Sequence, residues 1–123
     1  MTATKKLKVY QKYGGRCAYC GQRIELKEMQ VDHIKPKADG GTDDLENLNP
    51  ACALCNHYKR ATPLELWRDE FIGRILDRLQ KTYIFRVAER YGMVKVRGWN
   101  RKFYFEEFQE ERNDTKQNRR AKL

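Results

Sequence analysis

Two CxxC pairs constrain this chain more than any other feature. Cys17-Ala18-Tyr19-Cys20 and Cys52-Ala53-Leu54-Cys55 are separated by 31 residues. A CxxC turn sets both sulfur atoms on one side of the backbone, so two such turns can close a tetrahedral zinc site with Zn–S distances of about 2.3 Å. Three rivals fit less well. A thioredoxin-like redox pair needs one CxxC within a βαβ pattern, which is absent. An iron–sulfur cluster accepts four cysteines, but this spacing matches no familiar run. A zinc deaminase shows H-x-E followed by P-C-x-x-C. Here His33-Ile34-Lys35 lacks the glutamate, and Pro50-Ala51-Cys52 carries an extra residue. Zinc ligated by four sulfurs has no open position, so its role is structural and any catalysis lies elsewhere.

A staple of this kind suits the length. At 123 residues the chain reads as a single domain that buries about two-thirds of its unfolded surface, a marginal fraction. A zinc site contributing about 10–16 kcal/mol is comparable to the whole stability of such a domain. The formal net charge of +9 favours polyanionic partners, nucleic acid or an acidic membrane surface, though charge alone also suits a soluble protein kept apart by repulsion. No segment is long and apolar enough to span a membrane, and Met1 to Lys6 leads into no apolar run. The expectation is therefore a cytoplasmic chain without a membrane partner, in which cysteines stay reduced and bind metal.

Residues 1–16 read as a basic N-terminal arm or short helix, broken by Gly14-Gly15. Residues 17–62 form a block dense in turn formers. Within it Met29 to Ile34 reads as a strand, Leu45 to Asn49 as a second short strand, and Cys52 onward as a helix ended before Pro63. In residues 63–123 the apolar positions from Leu64 to Tyr83 recur at helical spacing, predicting one amphipathic helix. Met93 to Arg97 and Lys102 to Glu106 read as a β-hairpin with Trp99 and Arg101 near its tip, first of all an ordinary exposed turn, with entry into a DNA groove as the sharper alternative. Residues 112–123 read as a frayed basic tail, with Lys116, Arg119, Arg120 and Lys122 available to phosphates. The apolar 64–83 stripe is first of all core; a homodimer interface is the sharper alternative.

Val31-Asp32-His33-Ile34-Lys35-Pro36, then Gly40 to Leu48 with Asn47, then Cys52-Ala53-Leu54-Cys55-Asn56-His57-Tyr58-Lys59 closely resemble the HNH nuclease motif. The resemblance covers residues 17 to about 60. It implies an α+β fold: a small zinc-stapled ββα-metal unit, here extended by the C-terminal amphipathic helix and hairpin. It implies a metal-dependent DNA endonuclease in which His33 is the general base and Asn47 fixes the orientation of its ring. Asp32 and Asn56 become the ligands of one catalytic ion, with Asn56 preferred to His57, while Cys17, Cys20, Cys52 and Cys55 hold the zinc.

The chemistry of these residue types agrees. Hydrolysis of a phosphodiester needs a base for the attacking water, and neutral imidazole, titrating near 6.5, can accept a proton at about pH 7. A carboxylate and an amide oxygen make a hard, sparse site suited to Mg²⁺ or Mn²⁺. Lys35, Lys37, His57, Lys59 and Arg60 flank the site as candidate phosphate contacts. Neighbouring strand residues such as Asp32 and His33 normally face opposite ways, so a shared site requires the strand to end or bulge there. Two alternatives use the same cysteines and charge: a non-catalytic zinc-ribbon module that binds nucleic acid, and a subunit of a larger nuclease complex.

Overall fold

Thr2 opens the first helix, α1 (Ala3–Gln11), its hydroxyl accepting a hydrogen bond from the Lys5 amide at 3.1 Å. The computed structural model describes residues 1–121, and side chains only as far as Thr115. The tail side chains Lys116, Arg119, Arg120 and Lys122 thus lie outside what is described. Two compact units are present, one of Met1–Thr62 with Lys102–Leu123 and one of Pro63–Arg101.

In the first unit, Val9 on α1 is fully buried and Tyr10 donates its hydroxyl to the Ile24 carbonyl at 2.9 Å. Gly14 and Gly15, at φ +65° and +80°, then reverse the chain into the first CxxC turn, in a conformation that side chains disfavour. Strands β1 (Gln30–His33) and β2 (Leu48–Ala51) pair antiparallel, with Asp32 opposite Asn49 and His33 opposite Leu48. β2 starts later than the sequence suggested, because Leu45–Asn47 wind into a 3-10 turn. All four residues of β2 are buried, Pro50 included; a two-stranded sheet has only edges, where proline is tolerated. Helix α2 (Ala53–Lys59) follows at once, its N-cap being Cys52.

The second unit departs from the expected single helix. Its chain runs through α3 (Leu64–Leu66), a π-helical turn (Trp67–Phe71), a 3-10 turn (Ile72–Arg74), α4 (Ile75–Gln80) and α5 (Tyr83–Arg90). The apolar period is helical, but local geometry interrupts it. A side chain at Gly73 would come within 2.7 Å of the Arg68 carbonyl, and Thr82 caps a new helix by accepting from the Phe85 amide at 3.3 Å. The 64–83 stripe, read first as core, therefore runs over helical turns of three different types.

The predicted hairpin is also absent. Residues 93–103 hold no regular element, and Tyr104–Ala121 form helix α6 in the first unit, so residues 112–121 of the tail expected to fray are helical. Arg101, placed at the tip of that hairpin by the sequence, is instead ion-paired with Asp69, and Arg68 donates to its carbonyl at 2.6 Å. Alternating aromatics at Phe103 and Phe105 imitate a strand. Their backbone is claimed instead by a helix start: the Phe103 amide donates to the Glu106 carboxylate at 2.9 Å, one half of a capping box. Both rings are buried, and Phe108 meets Tyr13 edge-on at 5.3 Å. Among the described residues no helix is long and apolar enough to cross a membrane.

Candidate active site

The two CxxC turns converge. The four cysteine sulfurs lie within 4.8 Å of one another, and Cys20 and Cys52 are 3.8 Å apart. A tetrahedron with 2.3 Å bonds has edges of about 3.8 Å, so the cluster fits one ion ligated by four sulfurs. Local backbone bonds build it. The Cys17 amide donates to Gln22 at 2.8 Å, the Gly21 amide to Cys17 at 3.0 Å, and the Cys55 amide to the Cys52 sulfur at 3.4 Å. Hydrogen bonds from Cys20 and Cys55 pull the Cys17 thiol down to about 2, while the same contact with Cys17 pushes Cys20 up to about 11. Cys55 is raised further still by Cys17 and Cys20. Sulfurs this crowded ionise together only around a cation.

About the C-terminal end of β1 lies an open cavity of about 320 Å³, lined by Asp32, His33, Pro36, Lys37, Asn56 and Arg60, among others. Asp32 and His33 therefore share a site despite strand alternation. The strand stops at His33, and the loop that follows turns back at Pro36 to Gly41. Gly41 is required there: any Cβ would fall 1.8 Å from the Lys35 carbonyl oxygen.

Each wall of the cavity has a distinct tether. Asp32, 4% exposed, accepts from the Tyr19 hydroxyl and from the Lys59 ammonium, which lies 3.3 Å from Oδ1 and 3.1 Å from Oδ2. Burial raises the Asp32 carboxyl above its ordinary value, with Tyr19 and Lys59 opposing the shift. Burial, then the Asp32 charge, raise the Tyr19 hydroxyl well above its own, so it stays protonated and donates. The Nε2 of His33 lies 2.8 Å from Asp43, whose other oxygen pairs with Lys37 at 2.9 Å. These contacts lower Asp43 to about 2. Asn56 donates its amide to Gln30, and its Oδ1 accepts nothing from the described residues.

Two expected roles are corrected by this geometry. Asn47 does not touch the His33 ring. Its amide donates to the Lys35 and Thr42 carbonyls at 3.0 and 2.8 Å, and accepts from the Lys35 amide at 2.9 Å, so it clamps the loop. Lys59 is no surface phosphate contact, being fully buried with its ammonium also 3.1 Å from the His33 carbonyl. Its spacing from Asn56, three residues along α2, was the available signal, since i and i+3 share a helix face. Lys35, Lys37, His57 and Arg60 are exposed. Asp43, Tyr19 and Gln30 were missed as site residues; nothing local in the sequence marks the first or the last.

With this arrangement in view, the comparisons with known proteins are specific. Residues 17–62 match the family described as HNH endonuclease. The chain carries an HNH endonuclease domain. A CRISPR-associated endonuclease Cas9 of Corynebacterium diphtheriae is 41% identical over 58 residues, covering 46% of this chain and 5% of the relative. The Cas9 of Actinomyces naeslundii is 32% identical over 97 residues, covering 78% of this chain and 8% of that protein. The crystal structure of the Type II-C Cas9 enzyme from Actinomyces naeslundii superposes with a TM-score of 0.49 at 34% identity, covering 54% of this chain and 8% of that one. The chain thus spans less than a tenth of the length of these relatives. Within the HNH domain, the cavity, the four-sulfur cluster and the β1–β2–α2 order all fall inside the matched residues or are built from them.

Proposed function

We propose that this HNH domain hydrolyses DNA phosphodiester bonds, using His33 as general base beside one Mg²⁺- or Mn²⁺-type ion, on a frame stapled by zinc. The observation that carries the reading is the convergence of Asp32, His33 and Asn56 on one cavity.

The protein's own groups divide the work. Asp43 takes the orienting role first assigned to Asn47. A carboxylate only accepts, so a proton on His33 Nε2 is the one shared with Asp43, leaving Nδ1 as the unprotonated nitrogen for water. Asn47 acts one step back, holding the loop that carries Asp43. Asp32 and the Oδ1 of Asn56 supply hard oxygen ligands, and Lys59 neutralises the buried carboxylate until cations compete for it. The ion, when bound, supplies Lewis-acid stabilisation of charge on the phosphate and the leaving oxygen. Lys35, Lys37, His57 and Arg60 are placed to meet flanking phosphates. Cys17, Cys20, Cys52 and Cys55 hold zinc, the ion best matched to a closed four-thiolate site in a small domain.

A plasmid-nicking assay tests the reading. Wild type should nick with Mg²⁺ or Mn²⁺ and not with the ions withheld. His33→Ala should stay folded and lose about 10²–10⁴-fold in rate. Equal rates would remove His33 from the mechanism. One such site cuts one strand, so a single copy nicks and only a paired copy would cut both. The short share of its relatives that the chain spans supports a second reading, a chain working inside a larger nuclease; retained zinc with no nicking by the isolated chain would favour it.

A further inference from the structure

Tyr19 lies inside the first CxxC turn, yet its hydroxyl reaches the carboxylate of Asp32, one of the residues lining the cavity. Its ring has little freedom. It is 5% exposed and meets Phe103 edge-on at 5.4 Å and Phe105 at 6.0 Å. The backbone beneath it is held as firmly: the Tyr104 amide donates to the Tyr19 carbonyl at 3.1 Å, and the Phe105 amide to the Ala18 carbonyl at 2.8 Å. The Ala18 amide donates in turn to the Pro50 carbonyl at 2.8 Å. On the far side, the buried Asn49 amide reaches the hydroxyl oxygen at 3.4 Å, which directs the hydroxyl proton toward Asp32.

The other partner of Asp32 cannot do the same job. The Lys59 ammonium is a point charge within 3.3 Å of both carboxylate oxygens and of the His33 carbonyl, so it supplies charge without selecting one rotation of the carboxylate. The Tyr19 hydroxyl donates to Oδ2, through a donor on a packed ring. We propose that Tyr19 is a positioning residue for cleavage: by holding Oδ2 it fixes the carboxylate plane and keeps Oδ1 available to the catalytic ion. The inference rests on the reading of Asp32 as an ion ligand. It gives the sulfur-bound frame and the start of α6 a second duty, since together they set the angle of a ligand in the cavity.

Tyr19→Phe keeps the ring and deletes the donor. The test uses the full, zinc-loaded chain with a non-cleavable phosphorothioate duplex, reading Mn²⁺ affinity by electron paramagnetic resonance. A parallel assay reads nicking rate against Mn²⁺ concentration. Tyr19→Phe should weaken Mn²⁺ binding about 10- to 100-fold, as loss of a group orienting a metal ligand does. Nicking should approach the wild-type rate at saturating Mn²⁺, whereas a merely structural defect would lower the melting temperature and leave Mn²⁺ affinity alone. Phe103→Leu, which loosens the ring and keeps the hydroxyl, should shift Mn²⁺ affinity the same way and serves if Tyr19→Phe does not fold. Asp32→Asn separates the two readings. If it abolishes Mn²⁺ binding while Tyr19→Phe and Phe103→Leu bind within about two-fold of wild type, the role of Tyr19 is overturned and that of Asp32 stands. If Asp32→Asn binds and cleaves normally, Asp32 is no ligand and both readings fall.

Discussion

Lys59→Met removes a charge from the interior while keeping most of the side chain's volume. In the native protein the Lys59 ammonium is fully buried and neutralises Asp32, itself 4% exposed, through contacts at 3.1 and 3.3 Å; it also satisfies the His33 carbonyl at 3.1 Å. Removing one partner of a buried pair costs about 3–5 kcal/mol, because the remaining charge is left uncompensated. The Tyr19 hydroxyl stays on Asp32 and softens the loss, which places the expected cost near 3 kcal/mol. Against a total stability of about 5–15 kcal/mol this is a large fraction, and it should lower Tm by about 10 °C. The assay is thermal and urea denaturation with zinc saturating and other divalent ions absent. Lys59→Met with Asp32→Asn should regain part of the loss, since no buried charge then remains, giving a coupling of about 1–3 kcal/mol. A cost under about 0.5 kcal/mol, the range of an ordinary surface lysine, would refute the buried pair. Strict additivity in the double variant would refute it too.

On the proposed mechanism Asp43→Ala should lower single-turnover cleavage about 10- to 100-fold and leave its dependence on divalent ions unchanged, since Asp43 contacts the His33 ring. Asn47→Ala should lose three bonds to the Lys35 and Thr42 backbone; urea denaturation should show a cost of about 1–3 kcal/mol, with slower nicking. Stripping the structural metal with a zinc chelator should abolish the folded circular dichroism signal and restore it on zinc addition, without any need for DNA. Phe105→Ala should cost about 3–5 kcal/mol by calorimetry, as expected for a buried ring between Tyr13 and Tyr19.

What the sequence disclosed and what it hid follow from the range of the interactions. The CxxC spacing reports on a cluster closed by two short turns, so the convergence of Cys17, Cys20, Cys52 and Cys55 was legible. So were β1 and α2, whose limits are set by Pro36, Cys52 and Pro63 nearby in the chain. Asp43 was not legible as the partner of His33, because ten residues of loop fold back to deliver it. Lys59 read as a surface cation because charge alone says nothing of burial; only its place on the inner face of α2 pairs it with Asp32. The C-terminal errors share one cause. Alternating aromatics and helical apolar spacing are ambiguous until tertiary contacts decide, and at Phe103 to Phe105 those contacts are the Ala18 and Tyr19 carbonyls, more than eighty residues earlier.

The nuclease unit is discontinuous along the chain: residues 63–101 interrupt it, and α6 returns to complete it. A boundary drawn by motif at residue 62 therefore cuts through the packing. Excising the motif alone would leave the Tyr19 ring without Phe103 and Phe105, whereas shortening or exchanging the interrupting stretch would spare every side chain in the cavity. For anyone moving the HNH unit onto another scaffold, the transferable piece is the two-part unit of Met1–Thr62 with the chain from Lys102 onward.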